Sequence, residues 1–152
     1  KKEATRRSVT ISSNLSAEIA RVEADPVQIQ QLVVNLVVNA MQAIERTQAQ
    51  SGRVQVTTRS DGERAFVEVH DTGPGIPEGI ATEIFESFFT TRKEGMGMGL
   101  SICRSIVHSH GGVISARNTF EGGASFEAWL PLVFVETGYD DAPETAAGRQ
   151  LA

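Results

Sequence analysis

Asp25-Pro26-Val27-Gln28-Ile29-Gln30-Gln31-Leu32-Val33-Val34-Asn35-Leu36-Val37-Val38-Asn39-Ala40 is the stretch from which the fold is read. Asp25 is an N-cap acid, and Pro26 suits the first helical position, where its missing N–H has no partner to lose. Ile29, Leu32, Val33, Leu36, Val37, Ala40 and Ile44 recur at helical spacing. The spacing predicts a helix from about residue 26 until segment 47–52 ends it. Asn35 and Asn39 are four apart, so both amides are expected on one helix face, opposite the apolar stripe.

Working outward, residues 7–13 alternate and carry β-branched side chains, which predicts a strand, and residues 19–23 predict a second, short one. Beyond the helix, Val54, Val56 and Thr58 alternate as a strand. Asp61-Gly62 is a hairpin turn signal, and Ala65, Val67 and Val69 begin the return strand. Residues 72–99 turn rich in Gly, Thr and Pro, with one short helix expected around 78–87. Residues 100–110 predict a second long helix, stopped by Gly111-Gly112. Residues 113–117 and 125–132 predict a last pair of strands joined by Glu121-Gly122-Gly123. The order implies the α+β class: a two-layer α/β sandwich, one mixed β-sheet with helices on one face. The polar, aperiodic tail is expected to be flexible.

Composition narrows the function. At 152 residues the chain fits one domain with a proper core. A net charge of −5 disfavours nucleic acid and anionic membrane surfaces as partners. A single cysteine, Cys103, excludes an intrachain disulfide and a multi-cysteine zinc site, and implies a reducing, intracellular setting. The apolar run 32–44 is broken by Asn35, Asn39 and Gln42, so no stretch is read as a membrane span.

Four separated pieces carry chemistry. Asn35 and Asn39 offer hard, neutral amide oxygens of the kind Mg²⁺ accepts; on their own they are also what the wet face of an amphipathic helix can carry. Asp71-Thr72-Gly73-Pro74-Gly75-Ile76-Pro77 follows a strand on which Val67, Val69 and Asp71 share one side. A buried carboxylate there needs donors, either the loop backbone or a ligand's amino group. Gly95-Met96-Gly97-Met98-Gly99-Leu100 opens the second helix. Closely spaced glycines let backbone N–H groups approach phosphate oxygens, and the helix N-terminus adds partial positive charge. Phe85, Phe88 and Phe89 precede the cations Arg92 and Lys93. Such cations can reach transferring phosphates, or can simply be solvated. No P-loop lysine pattern occurs.

In this order, across residues 7–132, these pieces resemble the ATP-binding catalytic domain of sensor histidine kinases, relatives of the gyrase B, Hsp90 and MutL ATPases. Asn35–Ala40 resembles the family's N box, Asp71–Ile76 its first glycine box, Phe85–Phe89 its F box and Gly95–Leu100 its second glycine box. Phe88-Phe89-Thr90-Thr91 and Gly99-Leu100-Ser101-Ile102 most resemble nitrogen-regulatory and oxygen-responsive sensor kinases. The resemblance implies a Bergerat-type ATP-binding fold over 7–133. Residues 1–6 would end a preceding helix or linker, and 134–152 would be a flexible C-terminal tail.

It also implies roles. Asn39 would hold Mg²⁺, with Asn35 supporting the metal or the phosphates. Asp71 would bind the adenine amino group of ATP, with Gly73, Gly75 and Ile76 closing on the base and Ser125 offering a hydroxyl nearby. Gly95, Gly97, Gly99 and Leu100 would cradle phosphates beneath a lid of residues 87–98 that carries Thr91 and the cation Arg92. The family's ATPases and serine-directed kinases carry Glu where this chain has Asn35, and an amide cannot serve as their general base. Asn35 therefore favours phosphoryl transfer to a histidine over hydrolysis. An ATPase of the gyrase or Hsp90 type, and a degenerate module that only regulates a partner, stand as alternatives. His70, His108 and His110 sit in structural contexts, so the acceptor histidine is expected on a separate dimerisation and phosphotransfer domain, with relay to a response regulator. The chain is expected to be cytoplasmic and monomeric, without direct membrane contact.

Overall fold

Asp25 caps the long helix. Its Oδ1 accepts the Val27 N–H at 2.9 Å, and its backbone is extended, with φ −77° and ψ 116°. The computed structural model describes residues 8–18, 20–86 and 99–134, and helix α1 spans Pro26–Glu45. The Thr47 hydroxyl donates to the Ile44 carbonyl at 2.7 Å and helps close its C-terminal end.

The described residues form one five-stranded sheet: β1 (Ser8–Asn14), β2 (Ser51–Ser60), β3 (Arg64–Asp71), β4 (Val113–Asn118) and β5 (Ala124–Pro131), in spatial order β1-β2-β3-β5-β4. β1 and β2 are parallel, as a connection through α1 allows; the other pairs are antiparallel. The second helix, α2, spans Gly99–Ser109. The N–H groups of Gly111 and Gly112 bond the carbonyls of His108 and Val107 at its end, each at 3.0 Å.

Alternation along the strands separates two faces. Val54, Val69, Phe126, Ala128 and Leu130 turn toward the helices and pack with Leu32, Leu36, Ala40 and Ile44 of α1 and Cys103, Ile106 and Val107 of α2. On the opposite face Phe66 pairs with Trp129 across the ladder. The Arg59 guanidinium stacks 3.7 Å from the Phe66 ring centre and bonds Glu127 at 3.0 Å, while Arg64 sits 5.4 Å from the Trp129 ring. This is the mixed sheet with helices on one face that the sequence implies.

Three expectations change. Residues 20–23 form no strand, so the sheet has five strands among the described residues rather than six. Val22 and Ala24 do alternate into the core, but the segment lies extended with no ladder partner, joined by the Val133 N–H to the Arg21 carbonyl at 2.8 Å. Its period-2 pattern records packing rather than pairing. The helix expected around 78–87 reduces to a 3₁₀ turn at Glu83–Phe85, because Pro77 and Gly79 spend the preceding residues in a turn that bonds the Ile80 N–H to the Pro77 carbonyl. Finally, α1, with 20 residues and a mean hydropathy of 1.2, is long and apolar enough to cross a membrane by length and composition; here it packs against the sheet and α2.

Candidate functional site

The row Val67, Val69, Asp71 ends with its carboxylate inside the protein: Asp71 is only 1% exposed. Oδ1 accepts the Gly73 N–H at 2.8 Å, but Oδ2 is buried with no hydrogen-bond partner. Desolvation holds the carboxyl above its ordinary range. The N–H groups of Gly73 and Ala124, then the nearby His70 and Arg46, act against that rise. The Ala124 N–H favours the charged form without reaching hydrogen-bond geometry at Oδ2. An orphaned buried acceptor costs about 1–3 kcal/mol. A ligand that brings a donor, such as an exocyclic amino group, removes that cost.

The loop after Asp71 is fitted tightly to its surroundings. A Cβ added at Gly73 would lie 2.8 Å from Asp71 Oδ1 and 3.2 Å from the Ala43 backbone, so the loop lies directly over the C-terminal part of α1. Gly75 has φ +81°, a backbone that L side chains rarely adopt. Gly123, at φ +85°, presses so closely on Asp71 that an added Cβ would overlap the Asp71 carbonyl. Ile76 is half-buried and packs against the core. Its N–H donates to Asn118 Oδ1 at 2.7 Å, and its carbonyl accepts from Asn118 Nδ2 at 2.9 Å.

Ser125 does not belong to this cluster. It pairs with His70, and its hydroxyl donates to Glu68 Oε1 at 2.6 Å on the sheet face away from the helices. Its neighbour Ala124 is the residue that turns toward Asp71. The physical reason is strand alternation: a shift of one residue moves a side chain to the other face.

The two α1 amides are half-buried, not on the wettest side of the helix. That side carries Val27, Val34 and Val38, which are 71%, 57% and 42% exposed. Asn35 and Asn39 flank it, between the valines and the core. Burial pushes the Cys103 thiol up to about 12; the Asn35 amide lies near enough to act against that rise, while the thiol itself points to the Leu32 carbonyl at 3.8 Å, so Asn35 lies on the α2 side of the helix. Asn35, Asn39 and Ala43 follow one another along a single helix face, over roughly 12 Å from Asn35 to Ala43. The amides thus lead away from the Asp71 end. α2 begins at the exposed Gly99, and no acidic side chain of its own first turn offsets the positive end of its dipole. Leu100 anchors that turn against the core.

Thr91, Arg92, Gly95 and Gly97, with the whole expected lid 87–98, lie outside the described residues. Among the described residues no cluster of three or more His, Cys, Asp or Glu side chains could hold a metal; a hard cation would take the amide oxygens of Asn39 and Asn35 together with ligand oxygens. Sequence reasoning missed Arg46 and Asn118, and within the segment Gly122–Phe126 it took Ser125 rather than Ala124 as the residue beside the base. Only the small residue before Ser125 carried a usable signal, through strand parity. The three histidines are structurally engaged or exposed: His70 meets the Thr119 hydroxyl at 3.1 Å, His110 bridges α1 and α2, and His108 is exposed at the end of α2.

Residues 24–133 match the family model described as histidine kinase-, DNA gyrase B-, and HSP90-like ATPase. The sensor protein FixL of Bradyrhizobium diazoefficiens is 41% identical over 128 residues, which is 84% of this chain and 25% of that protein. The chain therefore spans about a quarter of that relative's length. Among solved structures, a nucleotide-free catalytic domain of the histidine kinase ThkA is 38% identical, with a TM-score of 0.71 over 81% of this chain and 80% of that one. ThkA in complex with the response regulator protein TrrA is 37% identical, with a TM-score of 0.66 over 82% of this chain and 34% of that one.

Proposed function

The chain belongs to the family of histidine kinase-, DNA gyrase B- and HSP90-like ATPases, and on that premise we propose that it is the catalytic part of a sensor histidine kinase. In this reading ATP lies along α1. Its adenine amino group donates to Asp71 Oδ2, the acceptor left without a partner. Guanine presents a carbonyl at the same position and would be repelled by the carboxylate. Gly73, Gly75 and Ile76 close on the base. Asn39, supported by Asn35, would hold Mg²⁺ between the amides and the phosphates, where the ion supplies charge neutralisation. Gly95, Gly97, Gly99 and Leu100 would bring backbone N–H groups and the α2 dipole to the phosphates, with Thr91 and Arg92 reaching them from the lid.

The reaction is an in-line phosphoryl transfer. A neutral imidazole nitrogen of a histidine on a separate dimerisation domain attacks the γ-phosphorus; the bond to the ADP oxygen breaks as the N–P bond forms. Imidazole is already nucleophilic, so no base is required to activate it. Asn35 stands where a base would be needed for water, and its amide cannot take a proton. The residues of this chain act by positioning and by stabilising charge. The phosphohistidine then serves a response regulator. ThkA, whose structure includes one, supports that partner class. The nucleotide-binding unit would be 7–133, cytoplasmic and monomeric on its own.

The single observation that carries the reading is the buried, unpartnered Asp71 Oδ2. The test mixes the purified chain with the histidine-bearing domain of its own kinase and γ-labelled ATP. Acid-labile, base-stable label on that domain, with little free phosphate, is the expected result. Rapid release of phosphate with no protein label would instead support an ATPase of the gyrase or Hsp90 type.

A further inference from the structure

We infer that Asn118 is a positioning residue for the nucleotide: it holds the Gly73–Ile76 loop in its base-receiving shape before any ligand arrives. The inference rests on the adenine reading of Asp71 and adds a residue that this reading does not contain. Asn118 is the last residue of β4, on the hairpin whose turn presses Gly123 against the Asp71 backbone. Its amide uses both functions on one peptide unit. Oδ1 accepts the Ile76 N–H at 2.7 Å and Nδ2 donates to the Ile76 carbonyl at 2.9 Å. This doubly bonded contact is made by residues 42 positions apart in the chain. An added Cβ at Gly75 would fall 2.7 Å from Asn118 Oδ1, so the side chain fills the space beside the strained turn.

The hairpin is itself braced, which makes it a rigid support. The Thr119 hydroxyl donates to the Gly122 carbonyl at 2.6 Å, the Thr119 N–H bonds the Gly123 carbonyl at 3.1 Å, and His70 reaches the same hydroxyl. Asp71 and Ile76 are thus held by one hairpin, Asp71 through Gly123 and Ala124, Ile76 through Asn118. Asn118 is exposed, and solvent-exposed hydrogen bonds contribute little to global stability. Its effect is local: it removes conformations of the loop that a base would otherwise have to select against.

Two measurements test this on the intact chain. Hydrogen exchange without nucleotide asks about the loop alone. Asn118→Ala should speed exchange of segment 72–78 by about tenfold, the loss of one net hydrogen bond's protection, while α1 and β3 exchange as before. Equilibrium binding asks about the ligand. Asn118→Ala should weaken ADP and ATP equally, by about tenfold, and leave the ratio between them and the Mg²⁺ dependence unchanged, because the phosphate end is untouched. Asn118→Asp, which keeps the acceptor but sets a second oxygen against the Ile76 carbonyl, should behave like alanine and not like the parent. Unchanged exchange in 72–78, or affinity within twofold of the parent, would overturn the inference; so would a loss of affinity that matches an equal loss of protection throughout the sheet. Should Asp71→Asn bind adenine nucleotides as tightly as the parent chain, the adenine reading fails instead, and the exchange result still stands alone.

Discussion

The backbone N–H of Asp25 donates to His110 Nε2 at 3.1 Å, tying the first residue before α1 to the first residue after α2. For Nε2 to accept, the ring proton must sit on Nδ1, which lies 2.7 Å from the Ile106 carbonyl. One imidazole thus joins the start of α1 to the end of α2. His110→Ala should cost about 1 kcal/mol of stability, measured by urea denaturation, and leave nucleotide affinity nearly unchanged. A loss below a few tenths would show that the bridge is not supporting the helix pair.

Asp71 is expected to set affinity and stability against each other. Its folded pKa is raised above 3.8 by burial, so the native state holds this proton more firmly than the unfolded chain. Its contribution to stability therefore falls as pH rises from 3.8 through the raised value. Nucleotide binding should run the other way: below the raised value the carboxyl is protonated and loses the charge that would favour accepting from an amino group. Asp71→Asn should lower ATP affinity by on the order of 100-fold. It should leave the thermal midpoint of the nucleotide-free chain equal or higher, and flatten the acid limb of the binding profile. Calorimetric titration and thermal melts across pH check all three.

Asn39→Ala should remove most of the gain in ATP affinity that Mg²⁺ provides, because an amide oxygen is lost from the metal's shell. Asn35→Ala should weaken it less, since in this reading Asn35 only supports the ion that Asn39 holds. Fluorescent-nucleotide titrations at several Mg²⁺ concentrations measure the difference. An unchanged Mg²⁺ dependence in Asn39→Ala would remove the metal role.

Ser125→Ala separates the two sheet faces. It deletes a 2.6 Å hydrogen bond to Glu68 and should cost about 1 kcal/mol of stability. Nucleotide affinity should stay within twofold of the parent. Ala124→Leu should do the reverse, crowding the Asp71 side and reducing affinity while Glu68 keeps its partner. Equilibrium binding beside denaturant melts reads both.

The elements with strong periodicity were legible in the sequence. Asp25-Pro26 marks the start of α1 to the residue, and Val67, Val69 and Asp71 place the carboxylate on the core side through parity alone. Where the sequence misled, two physical causes compete for one pattern. Val22 and Ala24 alternate because they pack against the core, not because a ladder pairs them. Ser125 was read one residue out of phase, which in a strand means the wrong face. The apolar valines on the open side of α1 displaced the amides to its flank, a placement that spacing without neighbours does not fix. Asn118 was invisible because its role depends on a contact with residue 76, and nothing local marks it.

Trp129 is the only tryptophan in the chain, and it lies beneath Arg64 on the side of the sheet opposite Asp71. Intrinsic fluorescence is therefore a reporter with a built-in filter. Excitation at the indole band should register loss of the Arg64 stack on unfolding, and stay dark to ligand entering on the other side. A titration that seeks nucleotide through native emission would return a flat line from a fully occupied protein.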